Sequence, residues 1–235
     1  MPALLPLSTQ TAVRQWWEGY VTTYLERDLR QLSQIQNVLD FRRMMELLAL
    51  RSAQILNQSA LARDAALSQP TAHRYLNLLE ASHLFSRLPT YRSNRTTRLV
   101  KAPKVAWSDP GLATFLSGYY NEETLRNATE LGCYAELLVY HHVRVMADLL
   151  VPPARLYHWR TRAGAEVDLV VEHGRRLLAI EVKTARNVTY ADTAGLRAFL
   201  ADHPRAAGGL LLYAGHEVRR LGDNVVALPW TLLTG

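Results

Sequence analysis

The sequence predicts an α+β chain in two parts, an N-terminal helical region ending in a winged helix and a C-terminal α/β domain built on a charged hairpin. Three observations lead there. Apolar residues recur at helical spacing between Thr11 and Ala81, two of those helices are joined by a tight turn and followed by a basic hairpin, and two later runs alternate with period two across a short turn. The 235 residues exceed one typical domain and fall short of three. They divide into a helical lead-in over 1–35, a winged helix over 36–120 and the α/β domain over 121–235.

From Thr11 to Leu32, Val13, Trp17, Tyr20, Val21 and Tyr24 trace one face of an amphipathic helix that starts near Thr11. Asp40 to Leu56 reads as a second helix and Ser59 to Ala66 as a short third one capped by Ser59. The stretch Leu67-Ser68-Gln69-Pro70-Thr71 then supplies a capping serine and a proline suited to a first helical turn, and the helix it opens runs through Ala81. Short helix, tight turn, helix is the outline of a helix-turn-helix. Ala72, Tyr75, Leu76 and Leu79 would face the core, which leaves Gln69, Thr71, His73, Arg74 and Asn77 outward, residue types that meet bases and phosphates in a major groove. Phe85 to Tyr91, a loop from Arg92 to Arg98 and a return through Val100 suggest a basic wing. Arg87, Arg92, Arg95 and Arg98 would lie along a phosphate backbone. A winged helix that binds another protein, its arginines solvated, fits the same pattern. The formal charge of +6 and a pI near 9.6 favour a polyanionic partner, nucleic acid and DNA first.

In the second part, Gly164-Ala165-Glu166-Val167-Asp168-Leu169-Val170-Val171 and Leu178-Ala179-Ile180-Glu181-Val182-Lys183 flank a turn read at His173-Gly174. With the turn there, Asp168 lies opposite Ala179 and Glu166 opposite Glu181. Glu166, Asp168, Glu181 and Lys183 then share one face, and Val167, Leu169, Val171, Leu178, Ile180 and Val182 share the other. Carboxylates packed together raise one another's pKa unless a cation neutralises them. A divalent metal, Mg²⁺ or Mn²⁺, would do so with two or three carboxylates and retained waters. A solvated face in which Lys183 pairs with Glu181 or Glu166 accounts for the same residues. The apolar run from Leu177 to Val182 favours a buried central strand, where charge is costly and usually functional. Beyond Lys183, Asp192 to Ala201 looks helical and Ala207 to Tyr213 looks like a buried strand, which completes an α/β sandwich around the hairpin.

An acid on a helix, an Asp on one strand and Glu-x-Lys on the next resembles the PD-(D/E)xK nuclease superfamily of restriction endonucleases and junction resolvases. The upstream acid is Glu136, within Leu131-Gly132-Cys133-Tyr134-Ala135-Glu136-Leu137-Leu138-Val139. The resemblance implies that Glu136, Asp168 and Glu181 ligate metal with help from the Val182 carbonyl, that Glu166 is an additional acid, and that Lys183 assists the attacking water. Asp168, Glu181 and Lys183 are thus the implied catalytic residues. More of the chain is similar to the region downstream of the ATPase core in prokaryotic AAA-type ATP-binding proteins with a C-terminal domain of unknown function. The matching segments include Tyr24-Leu25-Glu26-Arg27-Asp28-Leu29, the run Lys101-Ala102-Pro103-Lys104-Val105-Ala106-Trp107-Ser108-Asp109-Pro110-Gly111-Leu112 and the closing Leu228-Pro229-Trp230.

One departure from that family matters. No glycine here is followed by lysine, so the phosphate-cradling P-loop is missing and the chain is not expected to hydrolyse ATP on its own. It is either a naturally short member or the C-terminal part of a split or truncated protein. Two functions remain in view: a metal-dependent nucleic-acid phosphodiester hydrolase with a DNA-binding winged helix, and a non-catalytic DNA-binding or adaptor module that partners an ATPase chain. Surface left open at Trp16 and Trp17 would be covered by such a partner or by self-association. His141 and His142 point about 100 degrees apart on a helix and are read as structural. Cys133, the sole cysteine, leaves no intramolecular disulfide and suits a reducing compartment. With no signal-like N-terminus and no uncharged run of spanning length, the expected location is cytoplasmic and away from the membrane.

Overall fold

The computed structural model of the protein describes residues 4, 6–7, 9–28, 35, 37–92, 94 and 101–233. They form two compact units, the first of residues 1–87 and 105–134, the second of residues 88–104 and 135–235. The predicted boundary at 120 therefore differs in two respects. Residues 121–134, assigned from sequence to the α/β domain, cluster with the first unit. Residues 88–104, assigned from sequence to the winged helix, cluster with the C-terminal unit.

The first unit is mostly helical. Helix α1 (Gln10–Tyr20) is capped by the Thr9 side chain, which accepts from the Ala12 amide, and it continues as a π-helical stretch over Val21–Asp28. Trp17 is buried against Phe115 at 6.3 Å between ring centroids, so the expected open surface reduces to the half-buried Trp16, stacked on Tyr20. Helix α2 (Val38–Ala49), capped by Asn37, ends well before the predicted Leu56. The buried Ser52 hydroxyl donates to the Ala49 carbonyl, a side-chain bond that competes with the helical ladder, and the chain reverses through Ala53 at positive φ.

Helix α3 (Gln58–Asp64) is capped by Asn57 rather than Ser59. Helix α4 (Gln69–Ala81) opens as predicted with Ser68 as cap and a proline in its first turn, and it buries Ala72, Tyr75, Leu76 and Leu79. Strands β1 (Phe85–Leu88) and β2 (Lys104–Trp107) form a two-stranded sheet. Most of the predicted loop between them, Arg95 and Arg98 included, lies outside the described residues. Helices α5 (Pro110–Leu116) and α6 (Glu122–Arg126) follow, capped by Asp109 and Asn121.

Helix α7 (Leu131–Asp148) leads into the second unit and its six-stranded mixed sheet, ordered β3-β4-β5-β6-β8-β7. The strands are β3 (Arg155–Arg160), β4 (Glu166–His173), β5 (Arg176–Lys183), β6 (Gly208–Tyr213), β7 (Arg219–Gly222) and β8 (Val225–Pro229). The pairs β3/β4, β4/β5 and β7/β8 are antiparallel, and β5/β6 and β6/β8 are parallel. Parallel neighbours need a crossover, and between β5 and β6 it is helix α8 (Ala194–Asp202), whose Leu196 and Phe199 pack on Trp159, Val170, Ala179 and Leu211. Among the described residues no helix is long and apolar enough to cross a membrane.

The hairpin forms, with its register corrected. His173 pairs with Arg176, so the turn is Gly174-Arg175, with positive φ only at Gly174 as a type II′ turn requires. Val170, not Asp168, faces Ala179, and the ladder ends at Leu169 and Ile180. Against β3, Tyr157 pairs with Val170 and Trp159 with Val167, so two steps on β3 oppose three on β4. The additional residue is a β-bulge at Asp168-Leu169. It breaks the predicted alternation: Val167 and Val170, three apart, enter the same core cluster.

Helix α8 approaches β4 closely at its start. A Cβ on Gly195 would stand 2.0 Å from the Glu166 carbonyl oxygen. Gly195→Ala is expected to cost about 3 kcal/mol, since the obstacle is backbone and cannot rotate away; urea unfolding measures it.

Candidate functional site

Five charged side chains of the second unit meet where the β4/β5 ladder ends. Asp168 is presented by the bulge, Glu181 and Lys183 by β5, Glu136 by the second turn of α7, and Lys104 by the first residue of β2. The Lys104 ammonium donates to Glu136 Oε1 at 2.7 Å and lies 3.4 Å from Asp168 Oδ1. The other Asp168 oxygen, Oδ2, accepts from the Val182 amide at 2.9 Å, so the carboxylate is held against the strand that carries Glu181 and Lys183. Lys183 donates to Glu181 Oε1 at 2.8 Å. Four of the five are nearly inaccessible, with the Lys104 side chain 7% exposed, whereas Lys183 is 37% exposed.

Burial sets the electrostatics. It pushes the Glu136 carboxyl well above its ordinary value, and the neighbouring Asp168 charge adds to this. Burial and Asp168 likewise raise Glu181 to about 7, against the opposing pull of Lys183 and Lys104. For Lys104, burial acts to discharge the ammonium, but Glu136 and Asp168 together outweigh it and hold it above its usual range. Lys183 is held charged by Glu181 in the same way. One carboxylate oxygen is left over: Glu181 Oε2 is buried with no hydrogen-bond partner.

That oxygen is the test of a metal. Among the described residues no three His, Cys, Asp or Glu side chains form a ready cage, and the Glu136 carboxylate is bonded to Lys104. Asp168 and the orphaned Glu181 oxygen remain, and two carboxylates with a carbonyl and waters suit Mg²⁺ or Mn²⁺. Glu166 does not join them. Its side chain is exposed beside Arg160, at 3.7 Å. His141 and His142 are half-buried on α7, His141 packed edge-on to Tyr140.

In the first unit the outward set on α4 is present with its own contacts. Gln69, His73, Arg74 and Asn77 are exposed and Thr71 is half-buried, its hydroxyl 2.9 Å from that of Ser68. The His73 ring bridges Gln58 and Asn77, and Arg74 lies over the Tyr75 ring. Arg87 pairs with Glu80 and donates to Asn77, so it braces α4. Arg92, in the second unit, donates to the Arg160 carbonyl.

Residues 1–123 match the family described as a domain of unknown function, DUF8612. The chain belongs to that family. Residues 131–233 match a second family, also described as a domain of unknown function, DUF4143. Over 214 residues the chain is 34% identical to an uncharacterized protein of Mycobacterium bovis and, equally, to one of Mycobacterium tuberculosis. The alignment covers 91% of this chain and 47% of each relative, so the chain spans about half the length of the curated relatives it matches. No solved structure matches.

The sequence reading missed Lys104, which falls in the DUF8612 match while its partners Glu136 and Asp168 fall in the DUF4143 match. A signal was available: a lysine heads the otherwise apolar run Val105-Ala106-Trp107, and all four residues are buried. His158 was missed as well. Buried in β3, it lies 2.9 Å from the Thr90 hydroxyl, which donates to the Ala102 carbonyl, and this pins the backbone just before Lys104. Burial, then the Lys104 charge, lower the His158 pKa to about 3. A lowered histidine stays neutral in the folded state, while the unfolded chain takes up a proton below its ordinary value, so stability is lost as pH falls. The stability difference between wild type and His158→Asn is therefore expected to shrink by about 1.4 kcal/mol per pH unit below about 6.5, read from denaturation curves at several pH values.

Proposed function

We propose that the chain is a metal-dependent nucleic-acid phosphodiester hydrolase of PD-(D/E)xK type, with a winged helix that binds DNA. The observation that carries the reading is the orphaned, buried Glu181 oxygen beside Asp168 at a strand bulge, with Lys183 two residues on. The element order α7-β3-β4-β5-α8-β6 supports it, with three antiparallel strands and then a parallel crossover, as does the arrival of an acid from the preceding helix. A divalent ion held by Asp168 and Glu181, with the Val182 carbonyl, would activate water and neutralise phosphate charge. Lys183, half-exposed and held charged, is placed to donate to a phosphate oxygen or to orient the water. Burial of the carboxylates keeps bulk water from weakening these interactions.

Binding is assigned to α4, whose exposed Gln69, His73, Arg74 and Asn77 suit a groove and whose N-terminus follows a short helix and turn. Thr71, Arg92, Arg95 and Arg98 remain part of the proposed DNA-contacting set. The formal charge of +6 supports a polyanionic partner. DUF4143 is known from AAA-ATPase-associated proteins, so a separate ATPase chain is a proposed partner, with the Trp16, Tyr20 and Tyr24 ring stack a surface for it or for self-association. A second reading, a non-catalytic adaptor, is favoured by Lys104, which already neutralises two of the carboxylates.

Incubation with single-stranded, duplex and branched DNA in Mg²⁺ or Mn²⁺ separates the two. The hydrolase reading expects metal-dependent cleavage by the wild type and its loss in Asp168→Asn. DNA binding without cleavage of any substrate would overturn it in favour of the adaptor.

A further inference from the structure

The three carboxylates offer two places for positive charge, one between Glu136 and Asp168 and one at Glu181, whose carboxyl feels the Asp168 charge. In nucleases that use two divalent ions, a shared carboxylate commonly lies between a pair of ions about 4 Å apart. Here the first place holds an ammonium. Lys104 Nζ is 2.7 Å from Glu136 and 3.4 Å from Asp168, and its side chain is 7% exposed. The second place holds no protein cation on Glu181 Oε2, since Lys183 binds the other oxygen.

Resting on the hydrolase reading of the site, we infer that Lys104 is its resident cation and takes the place of one of two divalent ions, so that the site binds a single Mg²⁺ or Mn²⁺ at Asp168 and Glu181. An ion entering the Glu136 side must shed water and displace a buried ammonium that already neutralises both carboxylates. The ammonium also has little freedom to withdraw. The Thr90 hydroxyl bonds the Ala102 carbonyl, two residues before Lys104, and Thr90 is bridged to His158 in β3. An ion on the Glu181 side meets no such barrier: it finds a carboxylate oxygen that lacks any partner, close to the start of α8 at Gly195. Lys104 is thus a positioning residue, which fixes Glu136 and Asp168 and sets the number of metal ions.

The test counts ions on the metal-stripped full chain by electron paramagnetic resonance of free Mn²⁺, with no substrate present. Wild type is expected to bind one Mn²⁺ per chain, Glu136→Gln to bind one as well, and Lys104→Met, similar in length but uncharged, to bind two. Two ions in the wild type, or one in a folded Lys104→Met, would overturn the inference and leave the hydrolase reading standing. Should Lys104→Met fail to fold, Glu136→Gln decides: loss of the bound ion would make Glu136 a ligand and overturn the inference, and its retention upholds it. No bound ion in wild type or in either variant would overturn the reading beneath it as well.

Discussion

Lys104→Ala is expected to lower the stability of the C-terminal unit by about 3 kcal/mol, the largest effect of any single side-chain truncation in the site. Removing one partner of a buried ion pair leaves the other without its counter-charge, which typically costs about 3–5 kcal/mol. The lower figure applies because Glu136, whose carboxyl burial already pushes well above its ordinary value, can take a proton once the ammonium is gone. The double variant Lys104→Met with Glu136→Gln removes both charges and should recover most of the loss. Denaturant unfolding of the three proteins measures this, and a loss under about 0.5 kcal/mol for Lys104→Ala would mean that the buried pair is not formed.

Lys183→Ala should do the reverse, with little effect on stability and a large one on chemistry. Its side chain is 37% exposed and its partner Glu181 keeps a buried setting without it, so the pair contributes no more than about 1 kcal/mol to folding. A donor aimed at developing charge contributes far more to rate, and the cleavage rate is expected to fall at least about 100-fold, equivalent to about 2.7 kcal/mol of transition-state stabilisation. Single-turnover cleavage beside an unfolding curve separates the two quantities. An unchanged rate would remove Lys183 from the chemistry.

The helices of the N-terminal unit were largely legible because their signals are local. Ser68, the following proline and the spacing of Ala72, Tyr75, Leu76 and Leu79 define α4 without help from the rest of the chain. The hairpin was legible in kind and shifted in register, since His173-Gly174 and Gly174-Arg175 are both acceptable turns; the two registers differ by an even number of residues on the pairing, which preserved the neighbouring of Asp168 and Glu181. The bulge at Asp168-Leu169 was not legible. It arises from pairing with β3, a strand whose Leu156, Tyr157, His158 and Trp159 are all buried and so show no alternation. Lys104 was hidden for a related reason: its partners lie 32 and 64 residues away, and no local pattern brings them together. Strands β7 and β8 were also missed, each being short and ordered by the sheet rather than by its own sequence.

In the proposed site Asp168 and Glu181 hold a divalent ion while Lys104 stays in place. Anomalous scattering from crystals of the full chain soaked in Mn²⁺ tests this most directly. One peak coordinated by both carboxylates, with the Lys104 ammonium still on Glu136, is the predicted result. No peak at these residues, with Glu181 Oε2 turned to a protein donor instead, would contradict the account and leave the cluster as a buried ion-pair network that shapes the fold.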